Sequence, residues 1–473
     1  MIRQIALILS VMLLFAPFHS FRLRAGGPLA VTRAGLPFRW APTRPIAYTL
    51  DQGPLGPLSP EQAATLVEQA FETWASVPTA RLRFQMAGFT STDVTGANAL
   101  AFLNQIIRQC QEQRLCMNPV IFDSDGSVMD ALLGVGSRTR LAAWAAPLTM
   151  GDREILQGII LINGRFATTL DRLRGILTHE VGHFLGLDHS QLNTEAVFDA
   201  DPTNDQTVPT MFPFFTSQFR VEEWATLHPD DRAAISSLYP APDFDLTTGT
   251  IRGRIRYADG HGFMGANVIA RRVEDPQLTA VSTVSGYRHI GTVPKDDKPF
   301  RLGYVGSDDP DLLGYYELRG LPPGTYTVEI EPIDPRFTGP ARVGPLDPPP
   351  PLPAPREFYS GPGESDRDDP SDRALITVFP GTVVEDVDII LNTPVTRPSN
   401  DECAAATPIS GTSFVDRVNV WMATSVATDP PQSCTEGRRN SQSVWYRFTP
   451  PSDGTITLST LGSGYDPAIA VYT

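Results

Sequence analysis

Three histidines of this chain fall within eleven residues, at His179, His183 and His189, although the whole sequence contains only seven. They belong to the stretch LTHEVGHFLGLDHS, residues 177–190. On a helix, His179 and His183 stand one turn apart, so both imidazoles project from one face and can chelate one ion. Gly186 can adopt a left-handed conformation that ends the helix and turns the chain, which brings His189 to the same ion. The spacing therefore predicts a three-histidine metal site.

The residue types at this site favour catalytic zinc. Three neutral imidazoles leave a tetrahedral zinc ion one open position, and zinc there lowers the pKa of water from 15.7 to about 7. Glu180, next to the first histidine, can take the proton of that water and pass it to a leaving amine. A structural zinc would have no use for Glu180. The pattern thus predicts Zn²⁺ as cofactor, the three histidines as metal ligands and Glu180 as the catalytic base.

A helix must carry the motif, and the preceding residues predict one. Thr168 and Asp171 form a capping-box pattern ahead of the apolar positions Leu173, Ile176 and Leu177. A short apolar strand, residues 159–162, comes before this helix. The site is therefore expected on a helix that follows a buried strand.

The segment before the motif predicts a mixed domain of helices and strands. Strands are expected at residues 40–50 and 82–84, and a closing helix at residues 229–238. Ser59 is a good N-cap, Pro60 suits the first helical position and Gln62 completes a capping box. The helix that follows should bury one face, made of Ala63, Leu66, Val67, Ala70, Phe71 and Trp74. The predicted fold class for residues 36–240 is α+β.

The segment HEVGHFLGLDHS resembles the zinc motif of the metzincin metalloproteases, and the residues after its second histidine are most similar to the matrixin branch. Metzincins also carry a methionine turn beneath the zinc, and VPTMFPFF places Met211 at that position. DDRAAISSLYP resembles the matrixin closing helix. The resemblance covers residues 36–240 and implies an upper twisted sheet, a lower lobe around the third histidine and a cleft for an extended peptide. In that family the edge strand pairs with the substrate, and residues 158–163 are the candidate, with core pairing as the alternative.

The chain departs from the matrixin pattern in two respects. No cysteine precedes Cys110, so latency through a propeptide cysteine is not expected. Outside the motif and the N-terminal segment the only histidines are His228, His261 and His289, so a second, structural zinc of the matrixin kind lacks ligands.

A second group of metal-type residues lies in VIFDSDGSVMD, where Asp123, Asp125 and Asp130 surround a glycine. Carboxylate oxygens at this spacing could hold Ca²⁺. The stretch lacks the full EF-hand pattern, so an Asp-Gly turn between strands is the favoured interpretation.

The four cysteines form two close pairs along the chain, Cys110 with Cys116 and Cys403 with Cys434. Two local disulfides are the simplest interpretation, although the sequence leaves the other pairings open. The spacing is wider than in the CxxC pairs of zinc-thiolate sites.

Alternating apolar and polar residues replace helical patterns after residue 249. Residues 249–392 predict an all-β sandwich, interrupted by a proline-rich acidic segment at 344–371 that is expected to be a stiff linker. GYYELRGLPPGTYTVEI resembles the carboxypeptidase-regulatory-like, transthyretin-type sandwiches. Residues 399–473 resemble the β-sandwich domains at the C-terminal side of secreted bacterial peptidases, and stop at Thr473 within an apparent strand, so a partial domain is expected.

Charge and the N-terminus limit the compartment and partners. The net charge is −15, which argues against nonspecific nucleic-acid binding because that needs a basic surface. Residues 1–25 combine an early positive charge with a short apolar run, as in a signal peptide. No later run is long enough for a transmembrane segment. The expectation is a secreted protein of several domains.

The expected function is a secreted zinc endopeptidase that hydrolyses an extended polypeptide. One alternative is a cell-surface or matrix-binding protein that uses an inactive protease-like domain as a scaffold and binds ligands through its β-sandwiches. Another is a zinc hydrolase that acts on a non-peptide amide, since the metal ligands do not determine the substrate.

Overall fold

The structure, a computed structural model, describes residues 27–31, 36–150, 154–166, 169–199, 201, 203–214, 224–286, 310–344, 346–392, 397–411, 413–418, 420, 423–424, 443–460 and 468–472. Its α-helices are α1 (Pro60–Ala75), α2 (Ala99–Gln113), α3 (Ser127–Leu133), α4 (Leu170–Phe184), α5 (Thr194–Phe198), α6 (Pro229–Leu238) and α7 (Phe244–Thr247). Its strands are β1 (Ile46–Leu50), β2 (Phe84–Phe89), β3 (Pro119–Asp123), β4 (Ala143–Met150), β5 (Glu154–Asn163), β6 (Gly249–Arg256), β7 (Ala266–Arg272), β8 (Ala280–Val284), β9 (Tyr315–Leu321), β10 (Gly324–Pro332), β11 (Glu357–Phe358), β12 (Ile376–Val378), β13 (Val383–Val384), β14 (Ile389–Ile390), β15 (Thr407–Ile409) and β16 (Tyr446–Phe448).

The first region, residues 36–240, is built on a five-stranded sheet in the order β2-β1-β3-β5-β4. The strand pairs are parallel except for β4 with β5, which is antiparallel. Side chains alternate between the two faces of a strand. Phe122 and Ile160 therefore face one core with α1 and α4, whereas Ile121 and Leu161 face another with α2 and α3. The mixed α and β prediction for this region is confirmed.

Helix α1 forms as its sequence predicts. The Ser59 side chain accepts the backbone N–H of Gln62, and the Gln62 side chain accepts the N–H of Ser59, so the capping box is complete. The six predicted core residues are its buried residues: Ala63, Leu66, Val67, Ala70, Phe71 and Trp74. Strand β1 begins later than predicted, at Ile46, because Pro45 has no N–H for a ladder bond.

The prediction that residues 158–163 could form a substrate-binding edge strand is wrong. They belong to β5, which pairs with β3 on one side and with β4 on the other. The long apolar run of β5 reflects burial on both faces, which is typical of an interior strand. Among the described strands, β4 forms the edge on this side of the sheet.

The second region, residues 249–392, contains strands and no α-helix within its described residues. Strands β11, β10, β7 and β8 form one sheet, with β12 also on β10; β13, β6 and β14 form another, with β9 also on β6. The two sheets share one core, which includes Ile251, Val268, Leu318 and Val328. The all-β prediction for residues 249–392 is therefore confirmed at the level of strands and sheets.

The proline-rich segment 344–371 differs from the predicted linker because it packs on this core. Leu352 and Ala354 are buried, and Glu357 and Phe358 form β11, paired with β10. Prolines set the backbone direction without donating hydrogen bonds, but the apolar side chains between them are available for burial. After residue 397 the described residues contain one strand pair, β15 with β16, so the predicted partial sandwich there stays a prediction.

Candidate metal centre

Helix α4 carries His179 and His183. Its N-cap is Thr169, whose side chain accepts the N–H of Arg172, so the helix begins one residue later than the Thr168–Asp171 pattern predicted. Thr168 lies outside the described residues. Trp74 of α1 donates its indole N–H to the Thr178 carbonyl at 2.8 Å. This bond ties the two helices together beside the first histidine.

The C-terminus of α4 is held by partners from distant parts of the region. The Trp40 indole donates to the Phe184 carbonyl at 2.8 Å, and the Tyr239 hydroxyl donates to the Leu185 carbonyl at 2.6 Å. The chain then reverses at Gly186, where φ is +95°, a left-handed conformation that favours glycine. The predicted turn is confirmed, and it places His189 beside the helix.

The three histidines converge. One ring nitrogen from each of His179, His183 and His189 lies within 4.8 Å of the others. The Nε2 atoms of His183 and His189 are 3.0 Å apart. Two nitrogens on a tetrahedral zinc ion at 2.0–2.1 Å lie about 3.3 Å apart. Among the described residues this is the only such group of His, Cys, Asp or Glu, so the arrangement fits a metal ion.

A backbone carbonyl holds the other nitrogen of each ring. Nδ1 lies 2.7 Å from the Thr210 oxygen in His179, 2.8 Å from the Leu187 oxygen in His183 and 2.8 Å from the Arg342 oxygen in His189. A carbonyl only accepts, so each Nδ1 carries the proton and each Nε2 keeps a lone pair. Facing lone pairs repel unless a cation lies between them. Metal-bound histidines commonly have a carbonyl partner of this kind.

Burial keeps the three rings neutral. Burial lowers the pKa of His179 to about 4 and, together with the neighbouring His179, that of His183 to about 3. The pKa of His189 is also lowered well below 6.5, first by burial and then by the other two histidines. Metal ligation requires the neutral ring. The site is therefore ready for a cation at neutral pH.

Glu180 lies next to the first ligand and is 5% exposed. Its Oε2 is buried without a hydrogen-bond partner among the described residues. Burial raises the pKa of this carboxyl to about 8, which a bound dication would offset by favouring the carboxylate. A buried oxygen without a protein partner is suited to a water molecule, so Glu180 fits the predicted role of base.

Met211, the residue of the predicted methionine turn, is 1% exposed and packs against helix α4 at Gly182. A Cβ built on Gly182 would stand 2.3 Å from the Met211 Sδ, so these two residues are in close contact. The Asp231 carboxylate of α6 accepts the N–H groups of Thr210 and Met211 at 2.9 and 3.0 Å. Asp231 thereby fixes the turn whose Thr210 carbonyl binds His179. Sequence reasoning missed this role, although it did identify α6.

Arg342 is the other residue that sequence reasoning missed. It belongs to the second region and its carbonyl contacts His189, 153 residues earlier in the chain. No motif in the sequence surrounds it, because any residue can offer a carbonyl. Only the fold reveals this contact.

The structure does not bring the three aspartates together as metal ligands. Asp123 Oδ2 accepts the Met129 N–H at 2.7 Å, Asp125 accepts the Ser127 N–H at 2.9 Å, and Asp130 forms an ion pair with Arg138. Within this group only the Oδ1 of Asp123 is buried without a partner, whereas Ca²⁺ takes 6–8 oxygens. The favoured interpretation of a turn, here leading into α3, agrees with these contacts.

Cys110 and Cys116 form the predicted disulfide, with their Cα atoms 4.2 Å apart. Cys403 is exposed and bonds to no other described cysteine. Cys434 lies outside the described residues, so the second pair stays a prediction.

The predicted signal segment, residues 1–25, also lies outside the described residues. Across the ranges that the structure describes, no helix is both long and apolar enough to cross a membrane.

No protein-family model matches the chain, and no curated protein matches it either.

Proposed function

We propose that the protein is a secreted, zinc-dependent endopeptidase of the metzincin type. The observation that carries the proposal is the convergence of three neutral histidines. Glu180 follows the first of them in the chain, and its buried Oε2 has no hydrogen-bond partner among the described residues. A scaffold that only binds ligands would need neither three converging histidines nor the buried Glu180. The β-rich regions are proposed to bind a surface or matrix ligand, without a catalytic role.

In this proposal the histidines bind the metal ion and Glu180 transfers protons. His179, His183 and His189 hold the ion, which when bound supplies a Lewis acid that activates water and polarises a carbonyl. Glu180 takes the proton of the attacking water at its free oxygen and delivers it to the leaving amine. Burial of these groups limits bulk water, which strengthens electrostatic interactions at the site.

Strand β4 is the proposed docking edge for the substrate. It pairs with β5 on one side, and no described strand pairs with its other side. An extended peptide can add to such an edge through backbone hydrogen bonds. Strand β4 also contacts α4, the helix that carries two of the ligands, so a peptide on this edge would run close to the metal centre.

The test uses the full chain and separates metal binding from turnover. We expect one zinc per chain by elemental analysis, and casein cleavage that a chelator abolishes and added zinc restores. Glu180→Gln should keep the zinc and lose about 10²–10⁴-fold in turnover, because the base is gone while the shape is kept. Glu112→Gln, on the exposed side of α2, is the matched control.

Two outcomes would contradict the proposal. Wild-type turnover in Glu180→Gln would remove the glutamate from the mechanism. Stoichiometric zinc without hydrolysis of any denatured protein or peptide mixture would favour the scaffold interpretation instead.

A further inference from the structure

A loop of the second region reaches the metal centre. Residues 339–344, here called the metal-site loop, begin with a 3₁₀ turn at Gly339–Ala341. The next residue, Arg342, presents its carbonyl oxygen to the Nδ1 of His189 at 2.8 Å. The metal-site loop thus supplies the hydrogen-bond partner of the third ligand.

The other two ligands are oriented from within the first region. Thr210 and Leu187 supply the carbonyls for His179 and His183. Leu187 belongs to the motif itself, and Thr210 lies on the turn that Asp231 of α6 holds. His189 follows the turn, and its ring has no helix of its own to hold it. Without the Arg342 carbonyl its ring could carry the proton on either nitrogen, and a proton on Nε2 prevents metal binding.

The metal-site loop is anchored where the two regions meet. Val343 is 1% exposed and lies in a buried cluster with Phe337 of its own region and Val208 and Phe212 of the first. The Gly339 N–H donates to Asp347 at 3.0 Å. These contacts fix the position of the carbonyl relative to His189.

The residues that follow His189 bind the second region as well. The Ser190 hydroxyl lies 3.2 Å from that of Ser282, and the Ser282 N–H donates to the buried Asp230 at 2.7 Å. The Gln191 amide donates to the Glu331 carboxylate at 2.9 Å. The segment that contains His189 and the loop that contains Arg342 are therefore both held by the interface between the first and second regions.

We propose that the metal centre is shared between the two regions, with the Arg342 carbonyl as the positioning group that holds His189 ready for the ion. Docking of the second region then raises metal affinity. This inference rests on the metal binding that the proposed function requires, but not on hydrolysis of any substrate.

The backbone and the side chain of Arg342 can be tested separately. The hydrogen bond to His189 is made by the carbonyl oxygen, which every residue has. The carbonyl favours the ligand form of His189, and a change of side chain leaves that carbonyl in place. A variant of the side chain and a variant of the loop should therefore differ.

The experiment measures zinc affinity of the full chain by competition with a chromogenic chelator. Replacement of the metal-site loop by an equally long Gly-Ser sequence should weaken zinc binding about 10–100-fold, the usual cost of losing such a partner. Arg342→Ala keeps the carbonyl and should bind zinc with the affinity of the wild type. In protein labelled with ¹⁵N-histidine, the loop replacement should move the His189 imidazole signals toward a mixture of the two tautomers.

A milder pair of variants guards against misfolding of the loop replacement. Val343→Ala loosens the anchor of the loop, whereas Val378→Ala truncates an equally buried valine in β12, outside that cluster. Only Val343→Ala should weaken zinc binding, by several-fold. Equal losses in both variants, or wild-type affinity after loop replacement, would overturn the proposal. A tenfold loss in Arg342→Ala would assign the effect to the side chain and overturn it too.

The proposed function can fail independently of this inference. In the Glu180→Gln background the loop replacement should weaken zinc binding by the same factor as in the wild type, so a chain without peptidase activity would still show the effect of the loop.

Discussion

The histidine triad and the aspartate group at 123–130 are two metal-type patterns in the same region with different outcomes. In the triad, each ring gives one nitrogen to a carbonyl and keeps the other for an ion. In the aspartate group, the carboxylates bind local N–H groups or Arg138. A histidine has two distinct nitrogens and can be held while it ligates. A short carboxylate beside a helix N-terminus is readily used by the backbone itself.

Removal of a triad histidine should have the largest effect on metal binding, and it tests the contrast between the triad and the aspartate group. His183→Ala should weaken zinc binding by more than about 100-fold, since the loss of an outer partner alone costs about 10–100-fold. Metal content after dialysis against a weak chelator is the measurement. His261→Ala, which removes an exposed histidine, is the control. Retained stoichiometric zinc in His183→Ala would break the assignment of the triad.

Gly182→Ala tests how closely the methionine turn supports the triad. An alanine inside a helix is usually more stable than glycine by roughly 0.5–1 kcal/mol. Here the added methyl would stand 2.3 Å from the Met211 Sδ and 2.9 Å from Trp74, so we expect a loss of about 1–3 kcal/mol from overpacking. Thermal unfolding of the metal-free protein shows whether Gly182→Ala lowers or raises its stability. Met211→Ala in the same background should recover part of the loss, and a stabilised single variant would contradict the packing described.

In the metal-free protein, the triad histidines and Asp123 should change the free energy of unfolding with pH in opposite directions. Unfolded histidine titrates at about 6.5, whereas burial lowers the folded pKa to about 4 in His179 and about 3 in His183. Between pH 6.5 and 4 the unfolded state binds more protons, so the free energy of unfolding decreases as the pH falls. Burial raises the pKa of Asp123, so its contribution is lost as the pH rises through its folded pKa.

Urea denaturation at pH 6.5 and pH 5 measures the contribution of the triad histidines to the free energy of unfolding. We expect a loss of about 1–2 kcal/mol for each triad histidine over that interval. His183→Gln should show a shallower dependence, and His261→Ala the wild-type one. The same dependence in all three proteins would show that the triad is not buried as described.

Substitution in the aspartate group should have the smallest effect, and that effect should be on stability alone. Asp123→Ala leaves the Met129 N–H without its acceptor and should lower the free energy of unfolding by about 1–2 kcal/mol. Added Ca²⁺ should leave the melting temperature of the wild type unchanged. A calcium-dependent rise that Asp123→Ala removes would restore the calcium interpretation.

The sequence predicted correctly those features that depend on residues close together in the chain. The capping box at Ser59, the buried face of α1, the turn at Gly186 and the convergence of His179 with His183 follow from residue types a few positions apart. The Cys110–Cys116 pair belongs to the same class, because the two cysteines are only six positions apart in the chain.

The missed features depend on contacts between distant residues. Strand β5 looked like an edge candidate, because a run of apolar residues does not say how many neighbours a strand has. Asp231 and Arg342 act through a carboxylate and a backbone carbonyl placed by other elements. Any residue has a carbonyl, so no residue type marks the one that holds His189.

The Arg342 contact also sets an order of events during synthesis. The ribosome adds Arg342 153 residues after His189. At 5–20 residues per second this interval lasts roughly 8–30 s. A nascent chain that already contains all three histidines still lacks the acceptor for the third. On the proposed role of the Arg342 carbonyl, full metal affinity would therefore arise only after the second region has been made and has docked.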